Sequence, residues 1–108
     1  MKKLIEYGNN SINKGSLLTI LIGSMARGDY TPFSDADVII ITDIMRSGVE
    51  FMDPNMPVDI EPRVFTINEI YEMAKGRRKI IEEIIENGRI LAGNYEIFNN
   101  LVKLYKID

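Results

Sequence analysis

The chain has 108 residues, of which 45% are hydrophobic and 27% charged, and a net charge of −3. That length fits one domain spanning residues 1–108, and the balance excludes wholesale disorder and any broad electrostatic drive toward nucleic acid or an anionic membrane. With no Cys and no His, disulfides, thiol catalysis, thiolate and imidazole metal sites and the commonest general base are excluded, and any metal must be held by oxygen, as Mg²⁺, Mn²⁺ and Ca²⁺ are.

No apolar run approaches a membrane span, and "MKKLIEYGNN" breaks off too soon for a signal peptide, so a cytoplasmic protein is expected. Leu4, Ile5 and Ile12 among polar neighbours predict an amphipathic helix over residues 2–13, ended by "NKG". "LLTILI" (17–22) runs continuously apolar into Gly23 and reads as a buried strand. Residues 24–29 allow one helical turn with Ser24 as its cap, and "YTPFS" reads as loop. "ADVIII" (36–41) is a second buried strand. Residues 43–56 have weak periodicity and predict a partly ordered connection with one helical turn. "PVDIEPRVF" alternates, which makes a strand carrying Asp59 and Glu61 on one face, and Pro62 places it at a sheet edge or gives it a bend.

Thr66 and Glu69 form a capping box that opens a helix through about Lys75. Ile80, Ile81, Ile84 and Ile85 give a helical stripe over 77–87 with Gly88 as its stop, and "RILA" (89–92) is a strand candidate. Phe98, Leu101, Val102 and Tyr105 set a terminal amphipathic helix over 94–107. The expected fold is a mixed α/β domain in which a small mixed sheet of about four strands packs with helices.

The stretch "GSMARGDYTPFSDAD", Gly23 to Asp37, carries the chemistry. Asp35 and Asp37 enter a strand two residues apart and point the same way, where like charges repel by up to about 4 kcal/mol at an effective dielectric of 20. A divalent cation reverses the sign of that interaction, although Asp at a turn or strand end also serves as a plain cap. Gly23-Ser24, directly after a buried strand, lets backbone amides approach an anion such as a triphosphate. Arg27 adds a charge within reach of the same anion, and Gly28 lets the chain turn back. Asp59 offers a third carboxylate.

"GSMARGDYTPFSDADVIII" resembles the G-S-x-x-x-G…S-D-x-D signature of the DNA polymerase beta-like nucleotidyltransferase superfamily, and is most similar to its minimal nucleotidyltransferases. The resemblance implies the superfamily fold, with Gly23 and Ser24 contacting a nucleoside triphosphate, ATP foremost. It places Arg27 and Ser34 with them as nucleotide-binding residues. It makes Asp35, Asp37 and Asp59 both catalytic and ligands of Mg²⁺ or Mn²⁺, with Glu61 as the alternative third carboxylate. It further implies transfer of AMP to an acceptor, a protein partner, and an antitoxin role beside a small helical HEPN-domain protein. The alternative is a non-catalytic antitoxin or nucleotide-binding module that acts by forming a complex with such a partner.

Rival enzymes fit less well. In D-x-D phosphatases and glycosyltransferases the apolar strand precedes the aspartates, whereas "VIIIT" follows Asp37. A Rossmann binder needs G-x-G-x-x-G, and "GSMARG" lacks that spacing. "KGRRK" (75–79) is a basic cluster at a helix start, read first as solvated surface and second as a site for an anionic partner. Met45, Met52 and Met56 are either core filler or a soft partner surface. The terminal helix leaves Tyr95, Phe98, Leu104 and Tyr105 for a subunit contact, so a homo-oligomer is a further expectation.

Overall fold

The computed structural model describes residues 1–29, 31 and 34–107. The chain starts with α1 (Lys2–Asn13), β1 (Ser16–Ile22), the short α2 (Gly23–Arg27) and β2 (Ala36–Thr42). A 3-10 turn (Gly48–Phe51) follows, then β3 (Ile60–Thr66), α3 (Ile67–Lys75), α4 (Lys79–Asn87), β4 (Arg89–Gly93) and α5 (Tyr95–Lys106). The order αβαβ-turn-βααβα matches the expectation, and element ends fall within a few residues of it.

The four strands lie in the order β3-β2-β1-β4. β1 is antiparallel to both β2 and β4, whereas β2 and β3 are parallel, so the sheet is mixed. One face carries Leu18, Ile20, Ile22, Ile39 and Ile41 against Ile70, Ala74, Ile81, Ile84, Ile97 and Leu101 of α3, α4 and α5. The other face carries Leu21, Val38 and Ile40 against Leu4 and Tyr7 of α1, Ala26 of α2 and Phe51. Burial on both faces explains why β1 and β2 are continuously apolar rather than alternating. β3 lies at an edge, where Pro62 leaves no inner ladder bond unmade.

The caps follow the sequence closely. Glu69 N–H donates to Thr66 Oγ1 at 3.2 Å and Thr66 N–H to Glu69 Oε1 at 2.8 Å, which closes the capping box of α3. Ser47 and Glu50 form a second capping box on the 3-10 turn, the one helical turn expected in 43–56.

Several details differ. α2 begins at Gly23, with Ile22 in the capping position and no side-chain cap, so Ser24 lies inside the first turn instead of capping it. The chain leaves β1 at Gly23 itself, whose φ of +77° already makes the sharp bend. Asp59 precedes β3, although its carbonyl accepts the first ladder bond, from Ala36 N–H at 2.8 Å. Met45 and Met52 are exposed, whereas half-buried Met56 packs against the core, so of these only Met56 serves as core filler. The basic cluster runs from the end of α3 through the turn to the start of α4, where Arg78 is the N-cap and Lys79 the first residue: Lys75 pairs with Glu72, and Arg77 stacks over the Tyr105 ring at 4.7 Å. Most of the "YTPFS" loop (Tyr30, Pro32 and Phe33) lies outside the described residues. Among the described residues no helix is long and apolar enough to cross a membrane.

Candidate functional site

Three strand ends meet at one end of the sheet. β1 is antiparallel to β2, so its last residue, Ile22, is the cross-strand partner of Asp37. β3 is parallel to β2, so its first residues lie beside the start of β2: Ala36 pairs with Ile60 and Asp37 with Glu61. The Gly23-Ser24 turn and the Asp59–Glu61 segment therefore flank Asp35 and Asp37 from opposite sides.

Gly23 is required where it stands. Its φ of +77° disfavours a side chain, and a Cβ built there would lie 2.7 Å from Asp37 Oδ2. The Asp37 carboxylate is thus folded against the backbone of the turn. α2 is held over this end by packing on β1, β2 and α4. Arg89 of β4 supports it from beneath, donating from Nε to the Ala26 carbonyl at 3.0 Å.

Asp35, Asp59 and Glu61 are exposed and Asp37 is half-buried. Among the described residues none of these four carboxylates has an ion-pair partner. Asp35, Asp59, Ile60 and Glu61 line an open cavity of about 590 Å³ together with Met52, Asp53, Met56 and Val58 from the connection between β2 and β3. That volume is in the range of small-ligand sites. Among the described residues no three carboxylates converge closely enough to hold a metal ion by themselves.

Two expected residues are placed differently from the rest. Arg27 is already paired: its Nη1 donates to Glu83 Oε1 of α4 at 2.9 Å and its Nε lies 3.5 Å from Asp29 Oδ2. Ser34 closes the loop before the aspartates, with its N–H donating to the Thr31 carbonyl at 3.0 Å and its Oγ accepting from Thr31 N–H at 2.9 Å. The sequence reading missed Met52, Asp53 and Val58 as cavity residues and Glu83 as the partner of Arg27. Their positions come from register and long-range packing, and only the Asp-Pro step at Asp53 gave a local turn signal.

The sequence profile of the family described as nucleotidyltransferase domain matches residues 8–92, which span all three strand ends of this site. The chain belongs to the nucleotidyltransferase domain family. Its expected place in the DNA polymerase beta-like nucleotidyltransferase superfamily is borne out. No curated protein sequence gives a significant match to this nucleotidyltransferase. Its fold matches two crystal structures, each with a TM-score of 0.63 over 97% of this chain and 86% of the other. One is a toxin–antitoxin with AMP-PNP, at 15% sequence identity. The other is a mutant of the toxin–antitoxin MntA-HpeT carrying two aspartate-to-glutamate changes, at 14% identity. At these identities the nucleotidyltransferase shares their fold.

Proposed function

We propose that this nucleotidyltransferase moves AMP from ATP to a hydroxyl of a protein acceptor and serves as the antitoxin of a small helical HEPN-domain partner. The observation that carries this reading is the closure of Gly23 onto Asp37, which sets a side-chain-free backbone turn directly against a strand-borne carboxylate. Phosphate and metal chemistry need that juxtaposition, because Mg²⁺ is usually held by one or two carboxylates plus substrate phosphates rather than by a protein-only cage. The all-oxygen donor set of Asp35, Asp37 and Asp59 suits Mg²⁺ or Mn²⁺. The likeness in fold to toxin–antitoxin structures, one with AMP-PNP, supports the nucleotide and the role.

In this mechanism Gly23 and Ser24 hold the triphosphate and Ser34 buttresses the loop that presents Asp35. Asp35, Asp37 and Asp59 would hold the metal together with the phosphates, and it would supply neutralisation of the charge on the transferring phosphoryl group. Arg27 exchanges Glu83 and Asp29 for the nucleotide, at little cost because exposed ion pairs are worth about 0–1 kcal/mol. The acceptor oxygen bonds to the α-phosphorus, the bond from that phosphorus to the β-phosphate oxygen breaks, and pyrophosphate departs. The acceptor proton passes to Asp59 and on to water. Asp59 is the third carboxylate in this reading, with Glu61 beside it.

The test incubates the protein with radiolabelled nucleoside triphosphates, Mg²⁺ and the helical protein encoded next to it. Label from the α-phosphate of ATP should appear on the partner and vanish with Asp37→Asn. A complex that forms with or without Asp37 and never takes up label would leave antitoxin action by binding alone.

A further inference from the structure

Resting on the transfer reaction proposed above, we infer that the cavity beside the start of β3 is the acceptor subsite. Met52, Asp53, Met56 and Val58 then select the acceptor, a protein segment with apolar and basic side chains next to its reactive hydroxyl.

The argument begins with the order of the strand ends. The Gly23-Ser24 turn ends β1, Asp35 and Asp37 open β2, and Asp59 to Glu61 open β3. Neighbouring strands lie about 4.8 Å apart, so the turn and the start of β3 are separated by about 10 Å with the aspartates between them. In phosphoryl transfer the attacking and leaving oxygens lie roughly in line across phosphorus. With the leaving pyrophosphate on the Gly23-Ser24 side, the hydroxyl enters from the β3 side. That is where the cavity of about 590 Å³ opens.

Its lining says what enters. Met52 is 52% exposed, and with half-buried Met56 and Val58 it presents apolar surface that water alone would not hold open. Thioether side chains adapt to varied apolar partners. Asp53 adds a carboxylate from outside the strands to those of Asp35, Asp59 and Glu61. Among the described residues lining the cavity there is no aromatic ring for a nucleobase to stack on and no Lys or Arg to bind phosphate. The combination favours a cationic, partly apolar peptide over the nucleoside itself.

The wall is also fixed in place. Phe51 is fully buried, and its carbonyl accepts from Tyr7 Oη of α1 at 2.6 Å. Asp53 Oδ1 accepts from Asn55 N–H at 3.0 Å, which sets the turn that follows. Met52 and Asp53 thus stand directly after an anchored residue.

The test uses fluorescent ten-residue peptides with a central Ser, Thr or Tyr, flanked either by Leu and Lys or by Leu and Glu. Anisotropy is read with Mg²⁺ and a non-hydrolysable ATP analogue present, and the same peptides are then offered with labelled ATP. The lysine peptides should bind at least ~10-fold tighter than the glutamate peptides, and Asp53→Lys should erase or invert that preference. Met52→Ala, at an exposed position with no role in the core, should weaken the lysine peptides while leaving analogue affinity unchanged. Equal binding of both peptide sets, or no binding of either, overturns the inference. So does loss of analogue affinity in Asp53→Lys or Met52→Ala, which would make the cavity the nucleoside's own. Peptides that bind as expected yet take up no label from ATP would count against the transfer reaction instead, so the two failures are distinguishable.

Discussion

Replacing Asp37 by Asn keeps the shape of the side chain and removes a charge that faces Glu61 across the β2–β3 pair. Transfer should fall by at least ~100-fold, more than the loss of a supporting contact causes. Without Mg²⁺ the variant should melt at the wild-type temperature or above it, because like-charge repulsion is relieved. With MgATP the wild type should gain stability by mass action and the variant much less. An Asp37 that merely braced its turn would show the reverse: a metal-independent drop in melting temperature. Gly23→Ala separates strain from contact in the same place. A non-glycine residue at positive φ costs about 1–2 kcal/mol, and the new methyl also displaces the Asp37 carboxylate 2.7 Å away. In an Asp37→Ala background the second part should vanish, so a double-mutant cycle on urea unfolding should show clear coupling between the two positions. The glycine and both aspartates were legible in the sequence because they sit in one contiguous stretch. The diversion of Arg27 to Glu83 was not, since it depends on a residue 56 positions away in the chain.

At the scale of elements, α1 and the 3-10 turn are joined through Tyr7, which is 2% exposed and donates its hydroxyl to the Phe51 carbonyl. Burial first, and the nearby Asp53 charge second, push the Tyr7 phenol well above its ordinary value of 10.0. Above that value the unfolded chain releases a proton that folded Tyr7 keeps, so stability falls as pH rises beyond 10.0; below it both states carry the proton and Tyr7 adds no slope. Tyr7→Phe should therefore show a shallower alkaline loss in melts from pH 8 to 11. It should also cost about 1–3 kcal/mol at neutral pH by leaving a buried carbonyl unpaired. Elements with a clear period, such as the isoleucine stripe of α4 and the apolar runs of β1 and β2, were readable because each lies against a single kind of surroundings. The pairing of Asp37 with Glu61 was not readable. Register is a relation between two strands, and the alternation around Asp59 and Glu61 fixes their common face but not their neighbour.

At the scale of the molecule, half of the large exposed apolar side chains among the described residues (Ile44, Met45, Val49 and Met52) fall on the connection between β2 and β3. Exposed apolar side chains gathered on one segment suit the protein contact proposed above, so the chain should run in light scattering as a complex with itself or with a co-purified host protein. A strict monomer that brings down nothing would count against that. The same connection is required by topology. Parallel strands cannot be joined by a tight hairpin, and the chain must travel back the length of the sheet before β3 can begin beside β2. Residues 43–58 make that return journey outside the strands, anchored by buried Phe51 with Met56 and Val58 packed against the same core. The proposed acceptor wall therefore hangs on a segment that the topology requires and that is anchored chiefly at Phe51. Such a segment is exchangeable: a graft of the corresponding stretch from a relative, with Tyr7 and Phe51 kept, should carry a new choice of partner onto an unaltered catalytic end of the sheet.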